Sequence, residues 1–289
     1  MNLSPGCFRN DQSIIMKRIL LSIFVFCSFV ARGQELFVYT EPASNMPAHS
    51  ISARLSANFI PAQLPYDRLM QRYTPEIMLG LSKKWMLHLG TTFANMHTNN
   101  FRWESVYMYG KYRFLSNDEL HSHFRMAAFT EAAYSRSPFH FDELSLQGDK
   151  SGVQLGIIAT QLWHKLAVSA TVSNTQSLDK SRNDKNTIYI PSRIYQTMNY
   201  SLSAGYLLLP FEYTDYKQTN VNLYTELLVQ QALDRKAYYA DLAPAVQIIF
   251  NSNTKLNLGY RFQLGGDMQR MSTHSWLITL ERTFLNALK

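Results

Sequence analysis

The chain has 289 residues, 46% of them hydrophobic, a mean hydropathy of -0.20 and a formal net charge of +7. That hydropathy shows no bias toward membrane-spanning helices, which need runs of ~20 apolar residues, and no basic run interleaved with aromatics points to nucleic acid. Both cysteines, Cys7 and Cys27, lie near the start, so the rest of the chain holds no thiol for a disulfide, a Cys-ligated metal or a nucleophile.

The first predicted element is an export signal. Met16-Lys17-Arg18 forms a basic n-region, Ile19 to Val30 an apolar h-region too short to span a bilayer, and Ala31-Arg32-Gly33 a small-residue cleavage site. Residues 1–33 are therefore read as a signal peptide with Met16 as the expected start and cleavage expected after Gly33. Arg9, Lys17, Arg18 and Arg32 leave with Asp11, so the net charge falls from +7 to +4. Residues 34–48, which include Pro42 and Pro47, cannot continue a central strand and are expected to be a periplasmic lead-in.

From His49 onward, apolar and polar residues alternate in run after run. Ile51, Ala53, Leu55, Ala57 and Phe59 oppose Ser50, Ser52, Arg54, Ser56 and Asn58. A Pro- and charge-rich loop over 61–73 follows, then Ile77, Leu79 and Leu81, then Trp85 to Phe93. A fourth run centres on Val106 to Phe114, a fifth on Phe124 to Tyr134, and a sixth and seventh, Val153 to Ala159 and Leu166 to Val172, flank the tight turn Trp163-His164-Lys165. Runs eight and nine cover Met198 to Leu208 and Val221 to Val229. Runs ten and eleven form the clearest hairpin, in which Leu242, Val246, Ile248 and Phe250 oppose Asp241, Ala243, Ala245 and Gln247 before Asn251-Ser252-Asn253-Thr254, and Leu256 to Leu264 resume the pattern. Trp276 to Phe284 is run twelve, and 285–289 form a tail. Period-2 alternation places each set on one face of a strand.

An apolar face with aromatics near the strand ends, opposite a small and polar face, suits a wall with lipid outside and a polar lumen inside. Connections after odd-numbered runs tend to be long and charged and those after even-numbered runs mostly short, the asymmetry of external loops and periplasmic turns. The expected fold is all-β, an antiparallel transmembrane β-barrel of about 12 strands over residues 49–284, with both termini on the periplasmic side of a bacterial outer membrane. A soluble β-sandwich or lipocalin-like barrel also alternates, but this chain offers more apolar faces than one small interior can bury.

The signal peptide, the segment Glu41 to Pro47, the stretch His121 to Phe129 and the strand Lys255 to Phe262 resemble those of uncharacterised outer-membrane β-barrels of Gram-negative bacteria. The likeness covers essentially the whole exported chain. It implies the fold and the compartment, and it brings no catalytic residues.

The lumen-facing parity carries Arg54, Glu76, Lys111, Arg113, Arg125, Glu131, Glu226, Asp241, Arg261 and Glu281. Ionisable groups hidden from lipid either line water or pair with one another, so the choice lies between a polar pore or binding pocket and a salt-bridged plug. Small residues of the same parity, among them Ser50, Ser52, Gly80, Gly156, Ser203, Gly205 and Gly259, leave room for a pore, while inward Trp103, Tyr107, Tyr109 and Phe129 would narrow it. Passive passage or capture of a small polar solute is the favoured reading. A structural or adhesin-like barrel is the alternative, with the charged 174–193 connection as its binding loop. Copper-like metal handling would rest on His121 and His123, which share a face in an extended strand. No enzyme is expected: no His-x-Ser spacing sets a base beside a nucleophile on one strand face, and glycine-rich phosphate loops and zinc spacings are missing. No cofactor and no nucleic-acid partner are expected, and outer-membrane lipid is the expected surroundings.

Overall fold

The computed structural model describes residues 37–288, apart from 63–66, 120–121, 138–140, 179–193, 212–214 and 216. The twelve predicted runs fold as twelve strands: β1 (Ser50–Ile60), β2 (Met70–Gly80), β3 (Trp85–Ala94), β4 (Arg102–Asp118), β5 (Ser122–Ser135), β6 (Gly152–Trp163), β7 (Leu166–Ser177), β8 (Gln196–Leu209), β9 (Asn220–Ala232), β10 (Tyr238–Phe250), β11 (Thr254–Gly266) and β12 (His274–Phe284). Each pairs antiparallel with its neighbours in sequence, and β12 pairs back onto β1 with Phe284 opposite Ile51, so the sheet is closed and has no free edge. The terminal tail returns to the same rim, where the Leu288 amide donates to the His49 carbonyl.

The alternation is turned inside out relative to a soluble protein. Leu55, Ile77, Leu89, Met108, Leu155, Leu202 and Leu280 are about half exposed on the outer face, whereas Ser52, Glu76, Lys111, Ser203, Glu226 and Asp241 are buried inside. Such an outer surface is stable only against hydrocarbon. Aromatics frame it at both ends. Phe93, Trp103 and Tyr134 gather near the long connections, and Trp85, packed on Tyr112 at 4.6 Å between ring centres, stands with Phe250 and Phe284 near the short turns.

The end with the short turns also carries both ends of the barrel chain, and it is the end that the asymmetry expected above assigns to the periplasm. One tight turn there is made by Asn251 and Ser252 in the left-handed conformation (φ 50° and 56°), which Asn accepts more readily than most residues. The connection 210–219 is the exception, a long one at the short-turn end.

Two features differ from the sequence expectation. First, β2 starts at Met70, inside the stretch read as a loop, and it runs through Pro75. Thr74 and Pro75 pair with Ser56 and Leu55 of β1 but have no register partner on β3. Pro244 repeats this in β10: it pairs with Thr225 of β9, while Ala243 and Pro244 have no partner on β11. A proline lacks the donor for one of its two ladders, so each is accommodated by opening the ladder on one side only. Second, bulges shift the register of β3 against β4 at Thr92/Phe93 and of β10 against β11 at Ala240/Asp241, and these change which residues point inward.

Candidate functional site

The interior is built around residues 37–48. The sequence leaves this segment outside the wall as a lead-in; here it lies within the lumen, bonded to inward side chains of six strands. The Val38 and Tyr39 amides both donate to Glu226 Oε1 at 2.8 Å, and Thr40 Oγ1 donates to Glu226 Oε2 at 2.6 Å. The Ala43 amide donates to Thr160 Oγ1 on β6. Lys111 Nζ on β4 donates to the Pro42 and Ser44 carbonyls at 2.7 and 2.9 Å, and Arg125 on β5 donates to Ser44 Oγ. The segment is too short and Pro-rich to pair its backbone donors and acceptors with one another, and the wall supplies the missing partners. Apolar side chains help seat it: Phe37 packs on Tyr224, Leu162 and Ala245, and Ala43 on Ala127 and Ile158.

Glu41 sits at the centre of a charge cluster. Its carboxylate meets Arg54 at 3.2 Å and Lys111 at 3.5 Å, and Arg54 also reaches Glu76 at 3.6 Å and Glu281 at 3.1 Å, while Lys255 holds Glu281 at 2.7 Å. Burial alone would raise the Glu41 carboxyl; the Lys111 ammonium and the Arg54 guanidinium overcome it and hold it at about 2. The cluster therefore ties an inserted segment to β1, β2, β4 and β12 through fixed charges.

A second inward segment narrows the opposite side. In the long connection between β5 and β6, the Leu144 amide donates to Gln230 Oε1 and Gln230 Nε2 returns a bond to the Leu144 carbonyl, both inside the barrel. Glu143 of this segment meets Arg261 at 3.3 Å and Arg270 at 3.1 Å, and both arginines also hold Asp241. Burial would push the Glu143 carboxyl up, but Arg270 and Arg261 bring it down to about 2. Asp149 pairs with Arg72, which also holds the buried Glu104, and Asp142 pairs with Arg235.

Between the two segments lies a chamber of about 300 Å³. Tyr39 to Glu41 bound it on one side and Glu143 to Gln147 on the other; its walls include Arg54, Glu76, His88, Tyr109, Glu131 and Arg261.

Of the ten charged residues assigned to the lumen parity, Arg54, Glu76, Glu281, Asp241 and Arg261 enter the two clusters, and Lys111 and Glu226 anchor the inserted segment. Glu131 faces the chamber. Arg125 stands near the short-turn rim between Ser44 and Asp118, and Arg113 lies at the same rim opposite Ala127. Sequence reasoning missed the loop residues Asp142, Glu143 and Asp149, along with Arg270, because no periodicity marks a connection as folding inward. The four acidic residues among 142–149 and 104, set against unpaired-looking arginines on strands, were the available signal.

Two sequence expectations are corrected, on Trp103 and on the glycines. Trp103 is not inward: the bulge at Thr92/Phe93 places it opposite outward Phe93, beside exposed Tyr134, with its indole N–H donating to Thr91 Oγ1. Tyr107, Tyr109 and Phe129 do point in. The glycines do not leave open space. A Cβ on Gly259 would stand 2.7 Å from Tyr39 Oη and one on Gly205 2.2 Å from the Tyr224 ring, so these positions receive a ring or the inserted segment. For the metal reading, His121 lies outside the described residues, His123 Nδ1 is bonded to Asp118 at 3.0 Å, and no group of three or more His, Cys, Asp or Glu side chains suited to a metal occurs among the described residues. Residues 179–193 of the proposed adhesin loop also lie outside the described residues.

No family model and no curated protein sequence matches the chain. Among solved structures it is similar to an outer membrane channel from Pseudomonas putida F1, with a TM-score of 0.55 and 12% identity over 86% of this chain and 100% of that one. The beta domain of the Bordetella autotransporter Brka follows at a TM-score of 0.49, with 12% identity over 81% of this chain and 99% of that one. The NanC porin gives 0.47, with 13% identity over 80% and 98%. At such identities the likeness to the Pseudomonas channel is one of fold, and together with the closed sheet and the apolar outer belt it makes this chain a bacterial outer-membrane β-barrel.

Proposed function

We propose that the protein is a passive channel or binding barrel for a small polar solute, in which residues 37–48 set how far the lumen is open. The observation that carries this reading is the chamber of about 300 Å³ lined by charged and polar groups and bordered on two sides by inserted segments. A barrel of this width cannot be filled by its own side chains alone, and the material that occupies it is attached by hydrogen bonds and ion pairs, which exchange for water far more readily than an apolar core does. The volume is at the lower end of the ~300–1,000 Å³ typical of ligand pockets, so the solute is small. The similar Pseudomonas putida structure is an outer membrane channel, which agrees with this reading.

A permanently plugged structural barrel is the second reading. The extensive pairing of Arg54, Glu41, Glu76 and Glu281 favours it, since a satisfied internal network can hold a barrel shut. Planar-bilayer recording separates the two. Under the channel reading the exported protein conducts, and removing residues 37–48 raises the unit conductance several-fold. A silent bilayer from both forms, each shown to be folded and inserted, selects the plug.

A further inference from the structure

Glu131 projects from β5 into the chamber with only 7% of its surface exposed, and its Oε1 has no hydrogen-bond partner. We propose that the chamber is a binding site for a small organic ammonium ion, with Glu131 as its counter-ion and the neighbouring aromatic rings as its seat. This rests on the channel or binding-barrel reading and names the solute class.

The charge balance comes first. Four carboxylates line the chamber, Glu41, Glu76, Glu131 and Glu143, against two guanidinium groups, Arg54 and Arg261. Three of the four are engaged: Glu41 and Glu76 by Arg54, and Glu143 by Arg261 and Arg270. Glu131 has no ion pair among the described residues. Burial without a partner disfavours a bare negative charge there, so it is a cation entering the space Glu131 faces that stabilises its ionised form, while an anion is opposed.

Hydrogen-bonding capacity points the same way. Tyr39 Oη, His88 Nε2, Tyr109 Oη and Glu131 Oε1 are all buried, unpartnered and on the chamber wall. His88 Nδ1 faces Glu76 Oε1 at 2.6 Å, which places the imidazole proton on Nδ1 and leaves Nε2 a bare acceptor when the ring is neutral. The chamber thus offers a carboxylate oxygen and an imidazole lone pair to a ligand rich in N–H donors.

The wall between these acceptors is aromatic. The rings of Tyr109 and Phe129 stack at 5.3 Å between centres, and His88 lies 4.8 Å from Tyr109. The π-faces attract an alkylammonium head and pack against its carbon chain. No group of three or more His, Cys, Asp or Glu side chains suited to a metal occurs among the described residues, and the aromatic wall suits an organic cation.

The test uses the whole exported protein, folded in detergent, titrated in a calorimeter with ethylammonium chloride and, at matched ionic strength, with sodium chloride. Saturable binding of ethylammonium and none of sodium is expected. Glu131→Gln should weaken it by at least about tenfold, the scale of one charge-assisted hydrogen bond. Tyr109→Leu, which keeps the carboxylate, should weaken it several-fold through the lost ring face. Heat-modifiable electrophoretic mobility confirms that each variant is folded, and Tyr109→Leu decides the matter if Glu131→Gln does not fold. No saturable ethylammonium binding by the wild type, equal binding of sodium, or unchanged affinity in the folded variants overturns the proposal. A barrel that conducts but does not bind ethylammonium sinks this inference alone; one that binds it in calorimetry and stays silent in the bilayer sinks the channel reading alone.

Discussion

Lys111 offers the sharpest test of the inserted segment as an adjustable closure, because a single side chain joins the wall to that segment at three points. Its ammonium donates to the Pro42 and Ser44 carbonyls at 2.7 and 2.9 Å and stands 3.5 Å from Glu41. Lys111→Met keeps the length of the stem and removes the charge. Each hydrogen bond to a charged group contributes about 1.5–3 kcal/mol. The freed carbonyls recover part of this by taking up water in a polar lumen, so a net loss of about 3 kcal/mol is a fair expectation. At 1.4 kcal/mol for each factor of ten, the released state should gain roughly a hundredfold in population. The assay is single-channel recording in planar bilayers, scored as the fraction of time in the high-conductance state, with the 37–48 deletion marking the fully open level. Identical traces from wild type, Lys111→Met and the deletion, all folded, would refute the reasoning, because they would mean that the segment does not limit the pore.

The outer face supplies a second expectation: Leu258→Arg, mid-strand between Val246 and Ile278, should destabilise the barrel by about 2–4 kcal/mol in urea titrations of liposome-inserted protein, and Gln263→Arg on the inner parity much less. Acid should loosen the inserted segment. Glu41 is held at about 2, below its ordinary value of 4.5, so its anchoring is fully present above the ordinary value and lost as the pH falls toward the depressed one. Conductance should rise across that interval and the rise should flatten in Glu41→Gln; a pH-independent wild type would count against the anchor. N-terminal sequencing of the exported chain should begin at Gln34, and recovery of Met1 or Met16 would remove the signal-peptide reading.

The strands were legible because their periodicity is imposed by the surroundings. Leu242, Val246 and Ile248 must meet lipid while Asp241, Ala245 and Gln247 must not, and no alternative arrangement satisfies both. Legibility failed where a local device overrides the period. Trp103 follows a bulge, and Met70 to Tyr73 sit in a strand that a proline would ordinarily interrupt. The inward set of charges was legible as a set, but its pairing was not. Arg270 and Glu143 come from connections, and the pairing of Arg270 with Glu143 and with Asp241 depends on tertiary contacts that no spacing encodes.

The glycines show how the same pattern changes meaning once the fold is present. In the sequence, small residues of lumen parity suggest empty bore. In the structure Gly259 and Gly80 mark where the backbone wall must let residues 37–48 pass, since a Cβ there would meet Tyr39 and the Pro47 carbonyl. A sheet of this circumference leaves a gap that its own side chains cannot close. A tethered piece of the same chain, held by polar contacts to Glu226 and Lys111, closes part of it and leaves a chamber bordered by Glu131 and the rings beside it. Bulk on the wall would have been fixed, whereas a tethered segment has ends at which it can be released. Glycine where the segment passes and charged anchors where it is held are therefore two parts of one arrangement, which binds the segment closely without building it into the wall.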